Sequence, residues 1–218
     1  MTKLVCVLGK KRSGKDTIAD YINKRNDAKI YKLAYPIKEA LAASCDELSF
    51  EDMDGLGVDR EMPLGYNSSR VVEILKKCLA HNGLEYEDIE GFVSQYDESS
   101  WSIRTLMQRY GTDLVCNKID HLFWTKLAFK FYYDTIKHDY KTRAIIIPDV
   151  RQPWEIESLK MLNCVVIHVQ RDMINNTKDI HSTEKGLPVS KGDFVVKNDG
   201  SIDELYEKVN KILKETNL

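Results

Sequence analysis

The chain has 218 residues, 43% of them hydrophobic and 30% charged, with a formal net charge of -2 at pH 7. That composition excludes a disordered or fibrous chain and fits one α/β domain with insertions. The near-neutral total argues against stable nucleic-acid binding, and no apolar stretch approaches the roughly 20 residues needed to span a bilayer.

Leu4 to Leu8 is a continuous apolar run, as in a strand buried on both faces of a parallel sheet. Gly9 to Gly14 reads as a turn, and from Asp16 to about Lys24 the apolar residues Ile18, Ala19 and Ile22 recur at helical spacing. Lys29 to Ala34 reads as a second strand, and Pro36 suits the first turn of a helix carrying Ile37, Ala40 and Leu41. Residues 45 to 68 and 81 to 100 are acidic and poorly periodic, flanking a helix over Val71–Ala80. Ser102 caps the next helix, which the pattern ends at Gly111. A long aromatic helix is predicted from Asn117 to about Lys137. A buried strand, Ala144–Ile147, then runs into Pro148-Asp149, followed by a helix over Glu155–Leu162 and a strand over Cys164–Val169. Residues 171 to 192 are polar, Phe194–Val196 is a last strand, and Ser201 caps a closing helix with Ile202, Leu205, Val209, Ile212 and Leu213 inward. Strands alternating with helices predict a mostly parallel sheet covered on both faces, with ligands at the carboxyl ends of the strands.

The segment Gly9-Lys10-Lys11-Arg12-Ser13-Gly14-Lys15-Asp16-Thr17 matches GxxxxGK, with Asp16 where Ser or Thr ordinarily follows the lysine. Glycines let successive backbone N–H groups curl inward, and the helix N-terminus adds its positive end, so the loop is built to cradle phosphates. Lys15 would reach the β and γ phosphates of a bound nucleotide, and Thr17 can donate its hydroxyl to a phosphate. Asp16 is a poor phosphate neighbour but a good Mg²⁺ ligand, directly or through water. A solvated glycine turn is the plain alternative; the strand before the loop and the helix after it favour the phosphate cradle.

Arg60, Arg104, Arg109, Arg151 and Arg171 lie in or beside loops and helix starts. Arginine suits bidentate phosphate recognition and stabilises a transferred phosphoryl group, although any single one of them is by default a surface charge. An acceptor that is itself a phosphate needs no general base, being already about a dianion at neutral pH. Asp149 stands at the carboxyl end of a buried strand, where a ligand belongs, with a turn or helix-cap aspartate as the alternative. Trp124 is by default a core residue and equally suited to flank a base. His81, His121, His138, His168 and His181 show no metal-ligand spacing. Cys6, Cys45, Cys78, Cys116 and Cys164 are scattered without a CxxC pair, and the N-terminal apolar run is too short for a signal peptide. The expectation is free thiols in the cytoplasm.

Several further segments carry a resemblance: Leu33-Ala34-Tyr35-Pro36-Ile37-Lys38, Asp59-Arg60-Glu61, Trp101-Ser102-Ile103-Arg104, Leu106-Met107-Gln108 and Gly111-Thr112-Asp113-Leu114. With them go Pro148-Asp149-Val150-Arg151-Gln152, His181-Ser182-Thr183-Glu184, Gly186-Leu187-Pro188 and Asn198-Asp199-Gly200-Ser201. Together with the phosphate loop, Asp16 included, they resemble in order the deoxynucleoside monophosphate kinases of T-even-type tailed phages. The region 45 to 100 is shorter than, and different from, that family's pattern. The segment after Arg171 also departs from it.

The resemblance implies a P-loop nucleoside monophosphate kinase fold over 1–218, with an acceptor-binding helical region over about 36–140 and a lid over about 171–190. It implies transfer of the γ-phosphate of ATP, with Mg²⁺, to deoxynucleoside 5′-monophosphates such as dGMP, dTMP and dCMP or a modified dCMP. The enzyme would work in the cytoplasm of the host as a monomer or homodimer. Arg12, Ser13, Gly14, Lys15, Asp16 and Thr17 would hold ATP, with Asp16 toward the metal and Arg171 as a clamp. Lys11, Ile37, Lys38, Arg60, Arg104, Gly111, Thr112, Trp124, Asp149, Arg151 and Glu155 would hold the acceptor, and Lys15, Arg60, Arg104 and Arg151 would be catalytic. Two rivals use the same loop: a kinase for another small acceptor, and a regulatory module that binds ATP without turning it over.

Overall fold

The computed structural model describes residues 2–10, 12–171 and 186–218. They form two compact units, Met1–Leu33 with Thr125–Leu218, and Ala34–Trp124.

The first unit holds, among the described residues, a five-stranded parallel sheet in the order β2-β3-β1-β4-β5. Its strands are β1 (Lys3–Leu8), β2 (Ala28–Ile30), β3 (Ala144–Ile147), β4 (Val165–Gln170) and β5 (Phe194–Lys197). The apolar runs are buried on both faces because each face meets helices. Val5, Val7, Ile146 and Ile167 pack with Ile18 and Ile22 of α1 (Lys15–Arg25) and with Leu205 and Val209 of α9 (Ile202–Glu215). The alternate residues Leu4, Cys6, Ile145 and Ile147 face Ala128 and Tyr132 of α7 (Phe123–His138) and Leu159 of α8 (Pro153–Lys160). Two-residue alternation along each strand sorts the side chains onto these faces. β1 lies between β3 and β4, so the turn leaving it emerges in the middle of the sheet's carboxyl edge.

The second unit is helical: α2 (Tyr35–Ser44), α3 (Phe50–Asp54), α4 (Ser68–His81), α5 (Ile89–Val93), α6 (Ile103–Gln108) and a π-helix, Arg109–Ile119. Asn67 caps α4, whose buried stripe Val71, Ile74, Leu75, Cys78 and Leu79 follows helical spacing. Trp101 and Tyr110 are its largest fully buried side chains, and the Tyr110 hydroxyl donates to the Cys78 carbonyl at 2.8 Å.

Several elements differ from the sequence expectation. The second strand stops at Ile30, because the Leu33 N–H leaves the ladder and donates to the Asp149 carboxylate at 2.8 Å. Residues 45 to 68 are not without structure: a Ser49–Asp52 capping box starts α3, which buries only Met53, too little to show a period. Likewise α5 sits in the stretch read as irregular, capped by Asp88 with Ile89, Phe92 and Val93 buried. The helix does not end at Gly111 but widens into the π-helix and continues to Ile119. The long helix predicted from Asn117 is broken at Asp120, whose backbone is extended and donates to the Val115 carbonyl, while its carboxylate accepts from the Leu122 N–H. No helix among the described residues is long and apolar enough to cross a membrane.

Candidate functional site

The loop that leaves β1 is shaped by two left-handed residues, Arg12 at φ 65° and Gly14 at φ 97°. The non-glycine Arg12 in that region is a strained conformation of the kind that marks ligand-holding loops. Gly14 is the N-cap of α1 without any side-chain cap, so the first-turn amides of that helix have no cap from its own side chain. Ser13 is buried, and its hydroxyl oxygen has no hydrogen-bond partner. A curled loop, uncapped helix amides and an orphaned hydroxyl together fit a polyphosphate.

Lys15 and Asp16 open α1. The Lys15 ammonium is within 2.7 Å of an Asp16 carboxylate oxygen, and the side chains are 13% and 65% exposed. The lysine is thus held close to the protein while the carboxylate faces solvent, free to meet a hydrated cation. Thr17 is half-buried in the same first turn. Lys11 lies outside the described residues, as does the 172–185 part of the expected lid; Arg171 is the exposed residue just after β4.

One residue of this site carried no role in the sequence reading. The Asn198 side-chain amide donates to the Ser13 carbonyl at 2.7 Å, and its backbone N–H donates to the Gln170 carbonyl at 2.8 Å. A side-chain carbon on Gly14 would stand 2.4 Å from the Asn198 amide nitrogen. The residue at 14 must therefore be glycine on two grounds, its backbone angle and the approach of Asn198. The signal available in the sequence was position: Asn198 is a polar residue at the carboxyl end of a strand, where a ligand belongs.

The β3 end contributes Asp149, Arg151 and Glu155. β3 neighbours β1 in register, with Cys6 opposite Ile147, so their carboxyl ends lie side by side. Both carboxylates have structural duties. Asp149 accepts the Leu33 N–H, and Glu155 accepts the N–H groups of Arg151 at 2.8 Å and Gln152 at 3.0 Å, closing a capping box at the start of α8. Burial pushes the Glu155 carboxyl up to about 7, the two backbone donors pulling the other way.

The helical unit gathers the remaining predicted positions. The Arg104 N–H donates to the Arg60 carbonyl at 3.0 Å, and the Arg60 guanidinium donates to the Met53 carbonyl at 2.9 Å. Arg104 pairs with Glu61, and buried Lys38 pairs with Asp54. Ile37 lies against Gly111, where a side-chain carbon would stand 2.5 Å from the Ile37 Cδ1. The buried indole N–H of Trp124 donates to the Gly111 carbonyl at 2.8 Å. Thr112 follows, half-buried. Ile37, Gly111 and Trp124 are thus one contact set, and Arg60 and Arg104 another. Arg109 is not the surface charge it resembled: its guanidinium lies 4.0 Å from the Tyr96 ring centroid and 4.3 Å from that of Trp101. Desolvation there lowers its pKa, and the cation serves packing.

Comparison with known proteins gives the family of the chain. A sequence profile described as deoxynucleotide monophosphate kinase matches residues 3–209. The chain is 39% identical to the deoxynucleotide monophosphate kinase of Escherichia phage RB69, covering 97% of this chain and 100% of that protein. It is 36% identical to the deoxynucleotide monophosphate kinase of Enterobacteria phage T4, covering 97% and 99%. A match over nearly the whole chain at these identities, on a parallel sheet bearing a phosphate loop, makes this protein a member of the deoxynucleotide monophosphate kinase family.

Proposed function

We propose that the enzyme transfers the γ-phosphoryl group of ATP to the phosphate of 2′-deoxynucleoside 5′-monophosphates, giving ADP and the diphosphate. The observation that carries this reading is the loop between β1 and α1, with left-handed Gly14, the orphaned Ser13 hydroxyl and Lys15 at the helix start.

ATP binds through the loop amides from Arg12 to Thr17, and Lys15 neutralises the β and γ phosphates. That requires Lys15 to leave Asp16, its partner at 2.7 Å. The donor set fits Mg²⁺: Asp16 is a single exposed hard-oxygen ligand, and no cluster of three His, Cys, Asp or Glu side chains stands ready for a metal among the described residues. An ion held by one carboxylate, phosphate oxygens and water is the usual Mg²⁺ arrangement. When bound, Mg²⁺ supplies charge neutralisation at the β and γ oxygens.

On the acceptor side, Arg60, Arg104 and Arg151 neutralise the monophosphate and the migrating group. Ile37, Lys38, Gly111, Thr112 and Trp124 position the nucleotide; the Lys11 expected with them lies outside the described residues. Asp149 and Glu155 contact the sugar or base. No general base is required, since the attacking oxygen is already ionised. The acceleration comes from in-line positioning and preorganised positive charge. The enzyme acts in the host cytoplasm on free nucleotides.

A coupled ADP-release assay with ATP, Mg²⁺ and each of dAMP, dGMP, dCMP, dTMP and dUMP tests the reading. Turnover with one or more of these, and little with ribonucleotides, is expected. ATP binding with no turnover on any of them overturns it in favour of another acceptor.

A further inference from the structure

We propose that Asp54 is a positioning residue of the acceptor site: its carboxylate holds the buried Lys38 ammonium where the acceptor's phosphate meets it. The inference rests on the reading of the helical unit as the acceptor side, and it names the group that sets one of that side's cations.

Lys38 lies on α2 and is buried, and its ammonium donates to the Asp54 carboxylate. The two side chains are unequal partners, 8% and 37% exposed. A lysine has a long flexible stem, and its charged head turns to water unless a partner holds it inside. Both holds on Lys38 come from α3. The Phe50 ring, at the start of that helix, has its centroid 5.6 Å from the ammonium, and Asp54 ends the helix. Asp54 is exposed and fills no core space, so its contribution runs through the ammonium it meets.

The place of Asp54 is otherwise unfavourable. The last carbonyls of a helix carry partial negative charge, which repels an acid. An acid closes α3 all the same, and beside it the Met53 carbonyl accepts from the Arg60 guanidinium at 2.9 Å. Gly55, at φ 78°, ends the helix, and a side-chain carbon there would stand 3.2 Å from the Arg60 Nε, so the glycine leaves Arg60 its path. Further along, Glu61 pairs with Arg104, and the Arg60 carbonyl accepts the Arg104 N–H at 3.0 Å. Residues 53 to 61 thus touch Lys38, Arg60 and Arg104, the three cations of the helical unit assigned to the acceptor. A single short segment that meets each of them sets their positions together.

The ligand group that Lys38 meets follows from charge. The phosphate is the anionic part of a nucleoside monophosphate, and an ammonium is a compact point charge suited to it. An ammonium has three donors, and Asp54 takes one of them. The carboxylate thereby fixes the direction of the other two. Because the phosphate is common to all acceptors, the effect of Asp54 does not depend on the base.

Lys38→Met, Asp54→Asn and the double variant are measured with dGMP, dTMP and dCMP at saturating ATP, with Tm recorded for each protein. Asp54→Asn should raise acceptor KM about tenfold, by a similar factor for each base the parent accepts, with kcat and the KM of ATP within about twofold. Lys38→Met should show the same loss. Adding Asp54→Asn to it should change acceptor kcat/KM by less than about twofold, because Asp54 then has no ammonium to position. Asp54→Glu, which keeps the charge, should recover most of the parent's acceptor KM. The comparison of Lys38→Met with the double variant holds even if Asp54→Asn alone fails to fold, since neither of those proteins strands a buried ammonium. An unchanged acceptor KM in Asp54→Asn, a further loss in the double variant, a loss confined to one base, or equal rises in both KM values overturns the inference. If Lys38→Met raises acceptor KM while Asp54→Asn does not, only the role of Asp54 falls; if Lys38→Met leaves it unchanged, the acceptor role of Lys38 falls as well.

Discussion

Asn198 donates its side-chain amide to the backbone carbonyl of Ser13 at 2.7 Å, across 185 positions of sequence. The contact ties the phosphate loop to the residue just after β5, and Gly14 leaves the space it occupies. Asn198→Ala removes the bond and leaves the Ser13 carbonyl unpaired, at a cost of about 1–2 kcal/mol in stability. Because the loop is then less preorganised, the KM of ATP should rise about tenfold, as expected for ~1.4 kcal/mol of lost binding, with acceptor KM little changed. Thermal unfolding and a two-substrate kinetic matrix check both. Equal rises in the two KM values would make Asn198 a general stabiliser and not a loop anchor.

Lys15 stands 13% exposed at the helix start, against the Asp16 carboxylate. Lys15→Ala should reduce kcat by about 10²-fold or more, as for removal of a transition-state charge donor. Tm should hold within a few degrees, because the Asp16 partner faces solvent and an ion pair with a solvated carboxylate adds little. Near-normal turnover in this variant would remove the loop from the mechanism.

Asp16 replaces the usual hydroxyl residue after the loop lysine and is the candidate Mg²⁺ ligand. In Asp16→Asn, the Mg²⁺ concentration giving half-maximal rate should rise about tenfold, with the rate largely recovered at high Mg²⁺. A Mg²⁺ titration at fixed ATP reads this directly. An unaltered titration curve, with a changed KM for ATP alone, would assign Asp16 to the nucleotide.

Glu155 has its carboxyl raised by burial from 4.5 to about 7. A carboxyl with a higher folded than unfolded pKa binds its proton more tightly in the native state. Its stabilising contribution is complete below the unfolded value and is lost as pH rises through about 7. Between pH 5 and pH 8 the loss is on the order of 1–3 kcal/mol. Glu155→Gln keeps an acceptor for the Arg151 and Gln152 N–H groups and has nothing to ionise. It should therefore gain on the parent as pH rises. Urea midpoints at pH 5.5 and 8.0 test this, and parallel profiles for the two proteins would mean that Glu155 stays ionised throughout.

The central strands and the loop were legible in residue order alone. Runs such as Leu4–Leu8 and Ala144–Ile147 have no polar alternation and can only be buried on both faces. The glycine and lysine spacing after the first run reflects local backbone geometry, which is written in adjacent residues. The helices with four or more inward positions, α4 and α9, were legible for the same reason. Elements whose cause is distant were not. β2 ends where the Asp149 carboxylate captures the Leu33 N–H, Asp120 interrupts what reads as one helix, and Gly111 sits inside a helix because Ile37 needs its space.

The same division holds at the candidate site. Lys15, Asp16 and the arginines were visible as residue types in a pattern, whereas the anchoring of Ser13 by Asn198, the stacking of Arg109 and the pairing of Lys38 with Asp54 were decided only by the tertiary structure. A motif records what the backbone does over a few residues. A hydrogen bond spanning 185 positions, or the absence of a partner for a buried atom, depends on which elements the folded chain brings together.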